Sequence, residues 1–169
     1  MAGAIEVEVR GLERLLRTLR PELVGAPMRH FFQRATTLIA NEAKRRAPVG
    51  ISGHLRSKIS SEVDKSSVPL FGKVGTRVHY APYQEYGTGS EGDPEVPHVA
   101  RHWPPGHALG LWASRHGFRS GAQVARIIGK RGGLRPRRFF RGAVKETEPR
   151  IPGLLEQAER EIKAEWDRR

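Results

Sequence analysis

Apolar and polar residues alternate at the start of the chain and then change to helical spacing. Residues 5–9, IEVEV, alternate between apolar and acidic side chains, which predicts a half-buried strand. Leucines between Leu12 and Leu19 then recur every three or four positions, which predicts a helix that Pro21 ends.

The strongest periodic pattern predicts a long amphipathic helix at about residues 26–47. Three cations crowd its predicted last turn, where the helix dipole favours positive charge, and Pro48 follows it. The apolar stripe consists of Met28, Phe31, Phe32, Ala35, Leu38, Ile39 and Ala43. The apolar face of such a helix must pack against a sheet or other helices. We expect the large side chains of the stripe to be buried against the sheet: Phe31, Phe32, Leu38 and Ile39.

The rest of the chain predicts two strands and then several helices. Residues 55–64 and 70–79 alternate as strands do, and the two glycines of the second suggest a bulge or a twisted edge. Residues 88–106 are rich in glycine and proline and predict an exposed irregular loop. Helical patterns follow near residues 108–113 and 124–128, then a basic turn, KRGGLRPRRFF, and a final helical pattern at about residues 152–167. The predicted fold class is α+β, with a small antiparallel β-sheet packed on one long α-helix and a helical, basic C-terminal half.

All three tyrosines of the chain lie within one short segment, HYAPYQEYGTG, which we name the corner (residues 79–89). The spacing of three predicts a tight helical turn, and the glycines allow a sharp reversal after it. A tyrosine beside a glutamate can carry out acid–base chemistry, and aromatic rings can stack on nucleic-acid bases. A structural corner or subunit contact is the favoured interpretation. The candidate contact residues are Tyr80, Tyr83, Glu85, Tyr86, Gly87 and Thr88.

Other candidate chemistry is weaker. His98, His102 and His107 lie close together, but nearby prolines argue against the helix that a zinc-binding pair would need. The cluster Glu91–Glu95 holds three carboxylates, as a magnesium-dependent nuclease would, yet it lies in a loop rich in glycine and proline. We therefore predict no catalytic residue, no metal and no cofactor.

Positive charge is concentrated in one part of the chain. The net charge is +12, and residues 96–145 contain eleven lysines and arginines but no aspartate or glutamate. Such a segment either forms a solvated face or lies opposite a polyanion or an acidic partner. The candidates for facing a partner or DNA are Arg126, Lys130, Arg131, Arg135, Arg137 and Arg138.

Length and composition exclude several classes of protein. The 169 residues suggest a single domain. Because cysteine is absent, disulfides and thiolate sites are excluded. No apolar run is long enough to span a membrane, and the first residues lack a signal-peptide pattern, so we expect a protein made in a cytoplasm.

Four segments follow one another in the chain: VRGLERLLRTL, the end of the long helix with EAKRRAPVGISGHLRSKI, the corner, and LRPRRFFRGAV, whose residues 134–144 we name the closing motif. In this order they resemble the head–tail joining (tail-completion) family of long-tailed bacteriophages. The family pattern has a serine where this chain has Lys58. Members of the family are also often shorter than this chain. Residues 90–133 are therefore expected to be an insertion within a single domain of residues 1–169.

The resemblance implies a structural protein without enzymatic activity. Members of the family form rings, typically six-fold, in the neck between the head connector and the tail tube, and DNA passes through the lumen. The implied partners are copies of the chain itself, connector and tube proteins, and transiently DNA, but no membrane. The implied location is the virion, after assembly in the host cytoplasm. The alternative is a basic nucleic-acid-binding protein that acts as a monomer or dimer.

Overall fold

A computed structural model describes residues 5–7, 21–64, 70–96 and 104–168. The N-terminal strand is present as β1 (Ile5–Val7). The helix expected between Leu12 and Leu19 lies outside the described residues, and so do His98 and His102.

The long helix α1 (Pro21–Arg46) is confirmed, and it begins five residues earlier than predicted. Pro21, expected to end a preceding helix, is the first residue of α1. Proline suits this position because its fixed φ is helical and the first turn has no use for its missing N–H. The three cations of the last turn are where the sequence predicted them.

The sheet is antiparallel and its strand order is β1-β3-β2, with β2 (Ile59–Val63) and β3 (Gly72–Thr76) shorter than predicted. The start of the predicted first strand forms a helical turn instead, α2 (His54–Ser57), because Gly53 reverses the chain with a φ of 61°. The expected bulge or twisted edge is wrong, since β3 is the central strand and its register with β2 is unbroken. Gly72 serves close packing, because a Cβ there would collide with the Thr36 methyl on α1.

Two apolar clusters line α1. The first joins its C-terminal half to the sheet and to α6 (Phe139–Thr147), around Ile39, Ile59 and Phe139. The second joins its N-terminal half to α7 (Ile151–Asp167), around Phe31 and Phe32. The expectation for Leu38 is wrong: this side chain is only half-buried and lines an open groove beside α7 rather than the sheet.

The described part of the connection between the sheet and α6 contains three more helices. They are α3 (Ala81–Tyr86), α4 (Gly106–Arg115) and α5 (Gly121–Lys130). The prediction of an exposed irregular loop at residues 88–106 is wrong for its first part, because Thr88 and Asp93 are buried and a 3₁₀ turn spans Gly89–Glu91. The α+β class, the small sheet on the long helix and the helical C-terminal half are confirmed.

Within the described residues, no helix combines the length and apolar character needed to cross a membrane.

Candidate functional site

The corner folds as one short helix followed by a reversal. Helix α3 starts after Tyr80, and Pro82 lies in its first turn, where a proline needs no donor. Gly87 ends the helix with a φ of 73°, a conformation that suits glycine. All three tyrosines are half-buried. Burial raises the pKa of the Tyr80 phenol, against the opposing effect of a hydrogen bond with the Leu55 backbone, so this phenol is protonated at neutral pH.

Glu85 is directed inward and caps the first turn of α6. Its two carboxylate oxygens accept hydrogen bonds from the backbone N–H groups of Phe140 and Arg141, both at 2.8 Å, and the residue is only 3% exposed. These N–H groups have no partner inside the helix, and the helix dipole favours a negative charge there. The N-cap residue itself, Arg138, makes no side-chain cap. Glu85 therefore supplies the cap from a different part of the chain.

A row of backbone hydrogen bonds joins the corner to the closing motif. The N–H groups of Arg137 and Arg138 donate to the carbonyls of Gln84 and Glu85, at 2.7 and 3.1 Å. Further along, the Thr88 N–H donates to the Leu134 carbonyl, and the Leu134 N–H donates to the Thr88 hydroxyl, both at 2.8 Å. The two segments thus form one unit.

Glycines allow the two segments to approach this closely. A Cβ on Gly87 would collide with the carbonyl of Leu134, and one on Gly89 would collide with the carbonyl of Gly132. A Cβ on Gly133 would collide with the carbonyl of Thr88. The glycines of the corner and those before the closing motif therefore face each other across the same contact.

Carboxylates just after the corner neutralise part of the basic segment. Asp93 is buried, and its side chain lies 2.7 Å from the Arg141 guanidinium and 3.6 Å from that of Arg138. Glu91 pairs with Arg135 at 2.8 Å. Arg141 also lies over the Tyr86 ring, 5.4 Å from its centre. The carboxylates that suggested a nuclease are thus engaged with arginines, and in the described part of the chain no group of acidic or histidine side chains could hold a metal ion.

The structure divides the predicted basic residues into two sets. Arg135 and Arg138 are paired with the carboxylates beside the corner. The others are exposed and make no ion pair with any described residue: Arg126, Lys130, Arg131 and Arg137. His107 is exposed on α4.

Sequence reasoning missed the partnership between the corner and the closing motif, and with it the roles of Asp93 and Arg141. A signal was present: residues 91–95 carry three acids at every second position, and residues 135–141 carry four arginines. Opposite charges in two such short segments are the pattern expected of segments that pair.

Comparison with known proteins finds a family model that matches part of the chain. Residues 21–87 match the model of the HK97-gp10-like family, described as "Bacteriophage HK97-gp10, putative tail-component". The match runs from the start of α1 through the sheet to Gly87 in the corner. No curated protein and no solved structure matches the chain. Over residues 21–87, which hold the long helix, two sheet strands and most of the corner, the chain is similar to the HK97-gp10-like family of phage tail components.

Proposed function

We propose that this protein is a structural subunit of a bacteriophage neck. Copies of the chain form a hexameric ring that joins the head connector to the tail tube, and DNA passes through it. The observation that carries this proposal is the family match over residues 21–87. Assembly takes place in the host cytoplasm, and the finished ring stays in the virion.

The corner supports a structural role rather than catalysis. Glu85, the residue best suited to act as a base, is buried and accepts two backbone hydrogen bonds from α6. A general base must instead reach a proton on a substrate. The corner fixes the closing motif in place, and the parts of both segments that stay accessible can contact a neighbouring subunit: the half-buried Tyr80, Tyr83 and Tyr86 and the exposed Arg137.

The insertion at residues 90–133 supports a single domain with an added arm. The family match stops at residue 87, and α4 and α5 pack mainly against each other. Both ends of the insertion return to the core, through Glu91 and Asp93 at one end and Gly132 at the other. We therefore propose one domain of residues 1–169 rather than two.

The test is to disrupt the gene in the phage that encodes this chain and to examine the particles by electron microscopy. DNA-filled heads and free tails, with few joined particles, are the expected result. Restoring the wild-type chain in trans should restore joining. Joined particles at normal yield in the disrupted phage would overturn the proposal.

The alternative is a nucleic-acid-binding protein that acts as a monomer or dimer, and the observation that favours it is the acid-free basic segment. Light scattering separates the two when the chain is purified with its connector partner. A ring has about six times the 18.9 kDa mass of one chain. A monomer or dimer that ignores the connector but binds DNA would support the alternative.

A further inference from the structure

Helices α4 and α5 form a compact arm, which we name the basic hairpin (residues 106–131). Glycines bring the two helices into close contact, since a Cβ on Gly121 would collide with the Gly106 carbonyl. The turn between them is fixed by the Phe118 N–H, which donates to the Ala113 carbonyl at 2.9 Å, and by Ser120, which caps α5. The arm therefore presents its outer side chains on a defined scaffold.

Hydrogen bonds join the residues that follow the basic hairpin, Gly132 and Gly133, to Ser90 after the corner and to the hairpin itself. The Ser90 N–H donates to the Gly132 carbonyl at 2.9 Å, and the Gly133 N–H donates to the last turn of α5 at 3.0 Å. Because the corner is fixed to α6, the arm is connected to the core at its base.

The outer surface of the basic hairpin carries only positive charge. It contains no aspartate or glutamate. Five cations on it are exposed and form no ion pair with a described residue: Arg115, Arg119, Arg126, Lys130 and Arg131. Arg126 and Lys130 are four residues apart on α5 and so lie on one face. This differs from Arg135, Arg138 and Arg141, which carboxylates neutralise.

We propose that the basic hairpin is a binding surface for the phosphate backbone of double-stranded DNA. Protein interfaces use buried aromatic anchors and few charges at their centre. Here the aromatic side chains stack on one another within the hairpin instead, with Trp112 on His116 at 3.9 Å and on Phe118 at 5.7 Å between ring centres, and Trp112 and Phe118 are half-buried. Leu111 on α4 is an exposed apolar side chain, but the exposed cations outnumber it. Dispersed cations fit a regular array of phosphates, which they contact without reading the base sequence. The inference rests on the proposed function only for the source of the DNA, the genome that passes through the neck.

The experiment measures binding of the purified full chain to fluorescent 20–30-base-pair duplexes of two unrelated sequences over a series of salt concentrations. Wild type should bind both duplexes alike, with an affinity that falls steeply with salt. The double variant Arg126→Gln/Lys130→Gln removes two phosphate contacts, so its slope of log affinity against log salt should be smaller by about two. A second double variant, Arg115→Gln/Arg119→Gln, should reduce the slope similarly.

The matched control removes the same charge elsewhere. Arg45→Gln/Arg160→Gln changes two exposed arginines that pair with glutamates on α1 and α7, and its slope should stay at the wild-type value. If the slope fell equally in the hairpin and control variants, net charge alone would explain DNA binding, and the proposal would be overturned. So would absence of DNA binding by wild type, or tighter binding of poly-glutamate than of DNA. None of these binding results would decide whether the chain joins heads to tails, because the gene disruption described above tests the neck role separately.

Discussion

At the scale of single residues, Glu85 performs the task that an N-cap side chain usually performs for its own helix. Glu85 lies 55 positions before Phe140 and accepts a hydrogen bond from the Phe140 backbone N–H. Arg138, at the N-cap position, has a φ of 49°, which is uncommon for any residue except glycine. The backbone bond from Arg138 to Glu85 holds this conformation, so the corner determines how α6 begins.

Replacing Glu85 with glutamine should destabilise the fold. The glutamine keeps one acceptor oxygen but places an NH₂ group against a buried backbone N–H, and we expect a loss of about 1–3 kcal/mol in the free energy of unfolding. Urea denaturation measures it. The control Glu91→Gln affects an ion pair at the surface and should cost no more than about 1 kcal/mol. Equal stability of Glu85→Gln and wild type would contradict the capping role.

Truncating Phe32 to alanine tests the second apolar cluster. Phe32 is 5% exposed and meets Phe31 edge-to-face at 5.2 Å between ring centres. We expect a loss of roughly 3–5 kcal/mol in the free energy of unfolding. Leu38→Ala is the matched control from the same helix, and it should cost clearly less because Leu38 is only half-buried. The order of the two midpoints in urea would be reversed if Leu38, and not Phe32, belonged to the core.

At the scale of elements, the pairing of the corner with the closing motif depends on glycines. Gly89 has a φ of 62° and has no room for a Cβ beside the Gly132 carbonyl. Gly117, in the turn of the basic hairpin, has a similar φ of 75° but open space around it. The two positions therefore separate backbone strain from steric collision.

Gly89→Ala should destabilise the protein more than Gly117→Ala does. Both substitutions introduce the cost of a left-handed conformation, about 1–2 kcal/mol, and only Gly89→Ala also forces the two segments apart. Thermal melting of both variants measures the difference. Equal melting temperatures would mean that the contact between the corner and residue 132 adds nothing to stability.

Elements with a long periodic pattern could be predicted from the sequence, and pairings between distant segments could not. The apolar stripes placed the ends of α1 and α7 to within five residues. The first of the two predicted strands was too long at its start, because alternation continues through residues that a single glycine, Gly53, turns into a helical turn. The buried state of Asp93 depends on arginines more than forty positions away, and no local pattern contains that information.

At the scale of the whole molecule, the net charge is +12, and the cations of the basic segment are of two kinds, paired and unpaired. Carboxylates beside the corner neutralise the cations that hold the closing motif, which are Arg135, Arg138 and Arg141. Arg137 lies among these three, yet its side chain is exposed and has no ion pair with a described residue. In the neck that we propose, it is therefore the member of the closing motif best placed to meet an acidic surface on a neighbouring ring.

Reversing Arg137 to glutamate should impair head–tail joining and leave the fold intact. The backbone N–H of residue 137 still donates to the Gln84 carbonyl in the variant, so the corner keeps its shape. Counting joined particles by electron microscopy measures the effect, and a melting curve checks the fold. The control is Lys163→Glu, the same reversal at an exposed position on α7. Normal yields of joined particles with Arg137→Glu would exclude this residue from the contact.

The central claim is that the chain is a structural subunit of the neck, and its copy number in purified particles tests this most directly. Quantitative mass spectrometry against a labelled standard gives the number of copies per virion. We expect about six, the number in one closed six-fold ring. Absence of the chain from purified virions, or a copy number in the hundreds as for a repeating tube subunit, would contradict the account.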